Sequence, residues 1–166
     1  MKNKSLRYLT VAAMTAALYA VLCLVLAPIS YSAIQVRVAE ALTILPVFTP
    51  AAIPGLTIGC LLANILGGCP LLDIVFGTLA TLIGAVGTYL LRSRKYLIWL
   101  PPVVSNTILV SIFSIYLPFS KESDDSLWFI MLTVGIGELI SVCVLGYLLY
   151  FAVKKLVSGS VLQMIR

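Results

Sequence analysis

The fold follows from one stretch of the chain, residues 35–73, which reads QVRVAEALTILPVFTPAAIPGLTIGCLLANILGGCPLLD. It opens on a charged run and continues as a long apolar segment that Pro46, Pro50 and Pro54 interrupt. Prolines in the interior of one membrane-spanning helix would remove backbone hydrogen bonds and kink the chain. The pattern therefore predicts two short helices placed back to back, at about residues 38–48 and 51–66.

The composition of the chain indicates that lipid is its solvent. Its 166 residues are 61% hydrophobic and 10% charged, with a mean hydropathy of +1.13. Globular domains average ~45–50% apolar and ~25% charged residues. The basic residues come in short runs between apolar segments, which is typical of topology signals and not of a nucleic-acid-binding face. We therefore predict one integral membrane domain over residues 1–166, with lipid around it and no nucleic-acid partner.

Four further apolar segments, at about residues 8–27, 73–91, 97–117 and 127–153, complete a set of six. Each of these four is long enough to cross a hydrocarbon core of ~30 Å. The first could pass for a signal peptide, but its apolar run exceeds the usual ~7–15 residues, which favours a retained helix. The sequence thus predicts an all-α bundle of six transmembrane helices.

The distribution of basic residues predicts the orientation of this bundle. With six crossings and both termini cytoplasmic, nine of the eleven basic residues face the cytoplasm and the acidic loop at 121–125 faces outward. A single crossing over residues 38–66 would instead move Arg92, Arg94 and Lys95 outside, against the positive-inside rule. The cytoplasmic set is Lys2, Lys4, Arg7, Arg92, Arg94, Lys95, Lys154, Lys155 and Arg166.

Several kinds of chemistry find no support in the sequence. The four cysteines show no Cys-x-x-Cys spacing and there is no histidine, so neither a metal site nor a disulfide framework is indicated. The chain has no phosphate-binding loop and no Ser/His or Cys/His nucleophile arrangement. We predict no cofactor and no enzyme activity. A transport role would then draw its energy from an ion gradient or from partner subunits.

Glu138 is the most informative single residue, because it lies in the middle of the sixth apolar segment. A carboxylate at membrane depth costs at least ~2.5–3.5 kcal/mol on insertion scales, so it should face a polar cavity or a partner. The structural alternatives are an ion pair with Arg37 or a neutral, hydrogen-bonded acid. We favour a ligand-binding role.

Other polar residues are predicted to lie near Glu138. Asn106 falls near the middle of the fifth segment, and an asparagine there can read a ligand or bridge two helices. Trp128 is placed either to stack on a flat ligand or to anchor the chain at the membrane boundary. Short, Pro-interrupted helices flank this region, as they do in transporter sites. The polar residues predicted at or near the outer face are Arg37, Glu40, Asn64 and Asp73. With Glu138 below them, they are predicted to outline a ligand-binding pocket that opens to the outside.

Small residues recur along the first segment at intervals of four. Ala12, Ala16 and Ala20 form one stripe, and Ala13 and Ala17 form a second beside it. Such patterns let helices approach closely inside a membrane. The pattern fits a contact with another helix of this chain or with a partner subunit equally well.

Three motifs between residues 36 and 81 resemble a known family. They are VRVAEALTILP at residues 36–46, AIPGLTIGCLLAN at 52–64 followed by two glycines at 67–68, and LDIVFGTLAT at 72–81. These runs are similar to the QueT-type queuosine-precursor group, which belongs to the substrate-binding (S) components of energy-coupling factor (ECF) transporters. The resemblance is densest over about residues 35–90.

The resemblance implies a multi-pass protein of a prokaryotic plasma membrane that captures a 7-deazaguanine from outside. The substrate would be the aminomethyl or cyano precursor of queuosine, or queuine. The partners would be a transmembrane coupling protein and two cytoplasmic ATPase subunits. The alanine stripes of the first helix (Ala12, Ala16 and Ala20, with Ala13 and Ala17) would contact the coupling protein.

The chemistry of such a ligand matches the predicted site residues. A carboxylate such as Glu138 can accept both adjacent N–H groups of a guanine-like edge. Glu40 or Asp73 would balance an aminomethyl cation, Asn64 would read the remaining base edge, and Trp128 would stack on the base. The alternative is a small ion-coupled carrier or channel for another heterocyclic metabolite, in which Glu138 is the proton or cation site. A membrane enzyme or a structural subunit is less well supported.

Overall fold

The computed structural model describes residues 2–30, 37–116 and 127–156, and every regular element among them is helical. Residues 31–36 and 117–126, which include Gln35 and the acidic stretch at 121–125, lie outside this part of the chain. The elements are α1 (Lys2–Val25), α2 (Ala27–Ser30), a 3-10 helix (Val38–Val47), α3 (Ala52–Leu66), α4 (Leu71–Leu90), α5 (Leu100–Leu109) continued by a π-helical segment (Val110–Tyr116), α6 (Leu127–Glu138) continued by a second π-helical segment (Leu139–Gly146), and α7 (Tyr147–Leu156).

The two short helices predicted from the three prolines are confirmed. The first of them ends at Val47 and α3 begins at Ala52, with Pro50 between them. The first helix differs from expectation in being a 3-10 helix, which advances farther per residue than an α-helix and has poorer hydrogen-bond geometry. Most of its residues are buried between other helices, so tertiary packing holds it in this form.

Close packing of α1 against α3 builds one side of the bundle. A Cβ atom added to Gly55 would lie 2.6 Å from the carbonyl oxygen of Ala12, and one added to Gly59 would lie 2.8 Å from that of Ala16. Only glycine allows the two backbones to approach this closely. We call this contact, formed by Ala12, Ala16, Gly55 and Gly59, the glycine seam.

The small residues of α4 accept α5 in a similar manner. A Cβ atom on Gly84 would lie 2.7 Å from Cα of Pro102. The Ser105 hydroxyl donates to the carbonyl oxygen of Ala80 at 2.9 Å, and the Thr88 hydroxyl donates to that of Ile98 at 3.1 Å. These bonds satisfy buried hydroxyl groups that would otherwise be costly to bury. Small and polar residues recur along this helix at Asp73, Gly77, Thr81, Gly84 and Thr88, and the last two serve packing against α5.

The exterior of the bundle is apolar along most helices. Val25 is 71% exposed, Leu90 is 70% exposed and Trp128 is 78% exposed, and many other large apolar side chains are exposed as well. Three helical stretches have the length and composition to cross a membrane, namely Lys4–Val25, Leu71–Leu90 and Leu127–Leu156. Three shorter apolar helices accompany them. Such a surface requires lipid, and the six-crossing topology with cytoplasmic termini stays a prediction.

Candidate ligand-binding site

Six of the seven predicted ligand residues come together inside the bundle. Each is at most 8% exposed, although each carries a charge or an amide group. They are contributed by the 3-10 helix with its N-terminal flanking residue and by α3, α4, α5 and α6. We call the following group the polar cluster: Arg37, Glu40, Asn64, Asp73, Asn106 and Glu138, with Tyr19 and Thr81, which hydrogen-bond to it.

An ion pair and a glycine form one end of the polar cluster. An Arg37 guanidinium nitrogen lies 3.5 Å from a carboxylate oxygen of Asp73, which stands in the first turn of α4. The Asn64 amide nitrogen lies 3.4 Å from the backbone oxygen of Asp73. A Cβ atom added to Gly77 would lie 3.2 Å from this amide nitrogen and 3.5 Å from Oδ1 of Asp73. Because Gly77 has no Cβ atom, the side chains of Arg37, Asn64 and Asp73 can lie close to the backbone of α4 at this position.

Glu40 lies at the middle of the polar cluster and is fully buried. Its Oε1 accepts hydrogen bonds from the Tyr19 hydroxyl and, at 3.3 Å, from the Thr81 hydroxyl. These bonds, from α1 on one side and α4 on the other, fix the orientation of the carboxyl group. Its Oε2 has no hydrogen-bond partner among the described residues.

Asn106 and Glu138 form the other end. The Asn106 side chain lies beside the carboxyl groups of both Glu40 and Glu138, and Glu138 is within electrostatic range of Glu40 and Arg37. Neither the amide nitrogen of Asn106 nor Oε2 of Glu138 finds a hydrogen-bond partner in the described part of the chain. The predicted pair of Glu138 with Arg37 is not among the ion pairs found there, whereas the pair of Arg37 with Asp73 is.

Both helices that supply this end change their hydrogen-bond register close to the site. The π-helical segment of α5 begins four residues after Asn106, and that of α6 begins directly after Glu138. Turns of π-helix are rare and occur frequently at functional sites. Their position here agrees with a site that uses these two residues.

The unfilled hydrogen-bonding capacity indicates what the polar cluster can do. Nearly all buried polar groups in folded proteins have a partner, and leaving one without a partner costs about 1–3 kcal/mol. Three neighbouring side chains here, those of Glu40, Asn106 and Glu138, each keep one such atom. Two carboxyl groups accept hydrogen bonds and an amide nitrogen donates them. The arrangement suits a polar ligand that carries several N–H donors and at least one acceptor.

Metal binding has less support from these side chains. In residues 2–30, 37–116 and 127–156, no group of three or more His, Cys, Asp or Glu side chains is arranged to hold a metal ion. Cys60 lies next to the polar cluster, but its sulfur accepts hydrogen bonds from Asn64 at 3.6 Å and from Thr81 at 3.3 Å. It is a packed, hydrogen-bonded thiol.

Trp128 is the predicted ligand residue that the fold does not bring to the polar cluster. It stands in the first turn of α6 with 78% of its surface exposed, a position that suits anchoring at a membrane boundary. Its stacking on a ligand has no support from this position. Phe76 of α4 and Phe113 of the first π-helical segment instead form a stacked pair with ring centroids 4.3 Å apart.

Two members of the polar cluster lie outside the set of ligand residues predicted from sequence. Tyr19 lies deep in α1, away from the helix ends where membrane tyrosines usually stand, and this position was the available signal. Thr81 lies four residues after Gly77, and its hydroxyl oxygen is 3.1 Å from the Gly77 carbonyl oxygen, which competes with Glu40 and Cys60 for its one proton. Its spacing from Gly77 and Asp73 was the corresponding signal.

The two alanine stripes of α1 have different surroundings. Ala12, Ala16 and Ala20 are buried within the bundle, and the first two belong to the glycine seam. Ala13 and Ala17 are exposed. A contact of these alanines with a coupling protein stays a prediction, and the exposed stripe is the one available for it.

Comparison with known proteins agrees with the picture of a membrane protein. No curated protein and no solved structure matches the chain. A family model described as QueT transporter matches residues 9–155, which is most of the sequence. The match confirms the resemblance carried by residues 36–81, and a transporter family implies a small-molecule substrate and a membrane setting. The chain belongs to the QueT transporter family.

Proposed function

We propose that the chain is the substrate-capture subunit of an ATP-driven ECF-type importer and binds a 7-deazaguanine precursor of queuosine from outside. The observation that carries this proposal is the convergence of Glu40, Asn106 and Glu138, each with a polar atom that has no partner among the described residues. The family match supports the transport role. The choice of a 7-deazaguanine rests on the resemblance of residues 36–81 to the queuosine-precursor group, and the chemistry of the polar cluster agrees with it.

A guanine-like ring offers the groups that these side chains lack. Its edge presents two adjacent N–H donors, which one carboxylate can accept in a charge-assisted pair. We assign this edge to Glu138. The Asn106 amide nitrogen can donate to a ring acceptor, and Asn64 beside Gly77 can read a further edge of the base. A ligand held in this manner satisfies at least two of the partnerless buried atoms.

The position of the polar cluster supports entry from outside. In the six-crossing topology, Arg37, Asn64 and Asp73 fall toward the outer face and Glu138 lies deeper. A ligand from outside would therefore pass the Arg37–Asp73 ion pair before it reaches the carboxyl groups of Glu40 and Glu138. The sequence has no phosphate-binding loop, so ATP hydrolysis would come from partner subunits. The exposed face of α1 with Ala13 and Ala17 is the surface we assign to the coupling protein.

Ligand binding by the purified protein tests the proposal. We expect the aminomethyl and cyano 7-deazaguanines or queuine to raise the unfolding temperature, because a ligand that binds only the folded state stabilises it by mass action. Riboflavin serves as an unrelated flat control. If no deazaguanine raises the unfolding temperature, the proposed ligand class is wrong.

The variant Glu138→Gln tests the assignment of the base edge. Hydrogen bonds to charged groups contribute about 1.5–3 kcal/mol, so we expect the affinity for a deazaguanine to fall at least about tenfold. Ser141→Ala is the matched control, since Ser141 lies one turn further on and its hydroxyl donates to the Gly137 carbonyl oxygen. Unchanged affinity in Glu138→Gln would remove Glu138 from the site.

The energy source separates this proposal from the ion-coupled alternative. The protein is reconstituted into vesicles with and without its membrane and ATPase partners, and uptake of labelled precursor is measured. We expect uptake only with the partners and ATP. Uptake by the protein alone, driven by an ion gradient, would instead support a small ion-coupled carrier.

A further inference from the structure

We propose that the site selects a ligand with a protonated amine, and that Glu40, not Asp73, is the counter-charge for this amine. Among the 7-deazaguanines, the aminomethyl form would then bind in preference to the cyano form. This inference rests on the proposed function, because it concerns the ligand of the same site. Its basis is the distribution of charge within the polar cluster.

The polar cluster holds more carboxyl groups than cations. Within the described part of the chain, three carboxyl groups, those of Glu40, Asp73 and Glu138, are buried together with one guanidinium group, that of Arg37. The Arg37 guanidinium lies 3.5 Å from Asp73, so this pair balances one carboxylate. A buried carboxylate without a balancing charge is strongly unfavourable. A cationic ligand would supply the charge that the remaining two carboxyl groups lack.

Glu40 and Asp73 differ in what already surrounds them. Asp73 has Arg37 beside it, whereas the groups that hydrogen-bond to Glu40 or lie next to it are neutral, namely the hydroxyls of Tyr19 and Thr81 and the amide of Asn106. Neutral donors orient a carboxylate without balancing its charge. Oε2 of Glu40 and Oδ1 of Asp73 both have no hydrogen-bond partner among the described residues, so the guanidinium group beside Asp73 is what distinguishes the two carboxyl groups. With Glu138 assigned to the base edge, Glu40 is the carboxyl group left for the amine.

The two ligand forms differ in what they present to Glu40. An ammonium group has three N–H donors and a positive charge, which favour a carboxylate. A nitrile nitrogen is only an acceptor, and opposite a carboxylate oxygen it brings two lone pairs together. Discrimination against one ligand by such a repulsive contact is a common source of specificity. The same contact would leave Oε2 of Glu40 without a partner.

The ratio of the two affinities is the quantity to measure. Isothermal titration with the native protein should show the aminomethyl form binding at least about tenfold more tightly than the cyano form. Glu40→Gln should lower this ratio to about threefold or less, and Asp73→Asn, which removes the carboxylate charge beside Arg37, should lower it less. Glutamine at position 40 keeps an oxygen that can accept the hydrogen bond from Tyr19, so the variant should still fold. The ratio of two affinities is measured because it does not depend on the fraction of active protein in the sample.

A third ligand tests the inference without any variant. The hydroxymethyl 7-deazaguanine is close in size to the aminomethyl form but neutral, and we expect it to bind at least about tenfold more weakly to the native protein. Equal affinities for these two forms would overturn the inference, as would a ratio that collapses in Asp73→Asn and not in Glu40→Gln. Either result leaves the proposed function standing. If no 7-deazaguanine binds, queuine included, the proposed function itself is wrong.

Discussion

The glycine seam and the polar cluster share two helices, yet they are completed in different ways. In the glycine seam, the backbones of α1 and α3 are in direct contact, so no space is left for another group between them. A few residues further along, the same helices contribute Tyr19 and Asn64 to the polar cluster. There, the buried side chains of Glu40, Asn106 and Glu138 keep polar atoms without described partners. The chain completes the glycine seam by itself and leaves the polar cluster for a ligand to complete.

The largest expected effect comes from adding one methyl group to the glycine seam. In Gly55→Ala the new Cβ would lie 2.6 Å from the Ala12 carbonyl oxygen and 2.8 Å from Cβ of Thr15. Overpacking of this kind costs about 1–3 kcal/mol, and we expect the upper end because a backbone atom is hit. Thermal unfolding in detergent measures the loss of stability.

Gly135→Ala is the matched control for this substitution. Its new Cβ would meet the Thr107 side chain only at 3.5 Å, an ordinary contact distance. Replacing a glycine inside a helix gains up to about 1 kcal/mol from helix propensity, so we expect no loss of stability. Equal losses in the two variants would show that the glycine seam is not specially tight.

The polar cluster should respond in the opposite sense to loss of a polar group. Asn106→Leu removes an amide nitrogen that lacks a described partner, so we expect stability to stay the same or rise by about 1 kcal/mol. Affinity for a deazaguanine should fall about tenfold, since a hydrogen-bond donor to the ligand is gone. Thermal unfolding and titration calorimetry on the same sample measure both quantities.

Asn64→Leu is the control that separates these two effects. Asn64 donates to the Asp73 backbone oxygen and to Cys60, so its removal should lower stability by about 1 kcal/mol. A marked loss of stability in Asn106→Leu with unchanged affinity would make the polar cluster a structural feature. The contrast with the glycine seam would then disappear.

The smallest expected effect concerns the open position at Gly77. In Gly77→Ala the new Cβ would lie 3.2 Å from the Asn64 amide nitrogen and near Oδ1 of Asp73, which narrows the space beside them without hitting backbone. We expect affinity to fall about threefold or more, roughly 0.7 kcal/mol, with little change in stability. Stronger binding in this variant would show that the ligand does not use this space.

Apolar segment length and the positions of prolines were enough to predict the helices. Prolines marked the break between the first two short helices, and the predicted ends of the other segments lie within a few residues of those observed, except that α1 already begins at Lys2 and not near residue 8. The 3-10 and π-helical segments were not predictable, because an apolar run has no clear period from which to read the hydrogen-bond register. Tertiary packing decides that register.

The site was predictable in its residues more than in its contacts. Charged and amide groups in apolar segments must find polar surroundings, which is why six of the seven predicted residues are buried together. Sequence alone could not show that Arg37 forms its ion pair with Asp73 and not with Glu138, since this depends on how α4 and the 3-10 helix are placed. Nor could it show that Trp128 lies outside, because tryptophan suits both a site and a membrane boundary.

The 3-10 helix that carries Glu40 has a consequence for the dynamics of the protein. Runs of 3-10 helix longer than about four residues are uncommon, because their hydrogen bonds are poorly aligned. Val38–Val47 is ten residues long and depends on its neighbours to keep this form. Its amide hydrogens should therefore exchange with solvent deuterium sooner than those of α3. A ligand that bridges Glu40 and Glu138 would slow that exchange, so the occupied state could be followed by mass spectrometry without any label on the ligand.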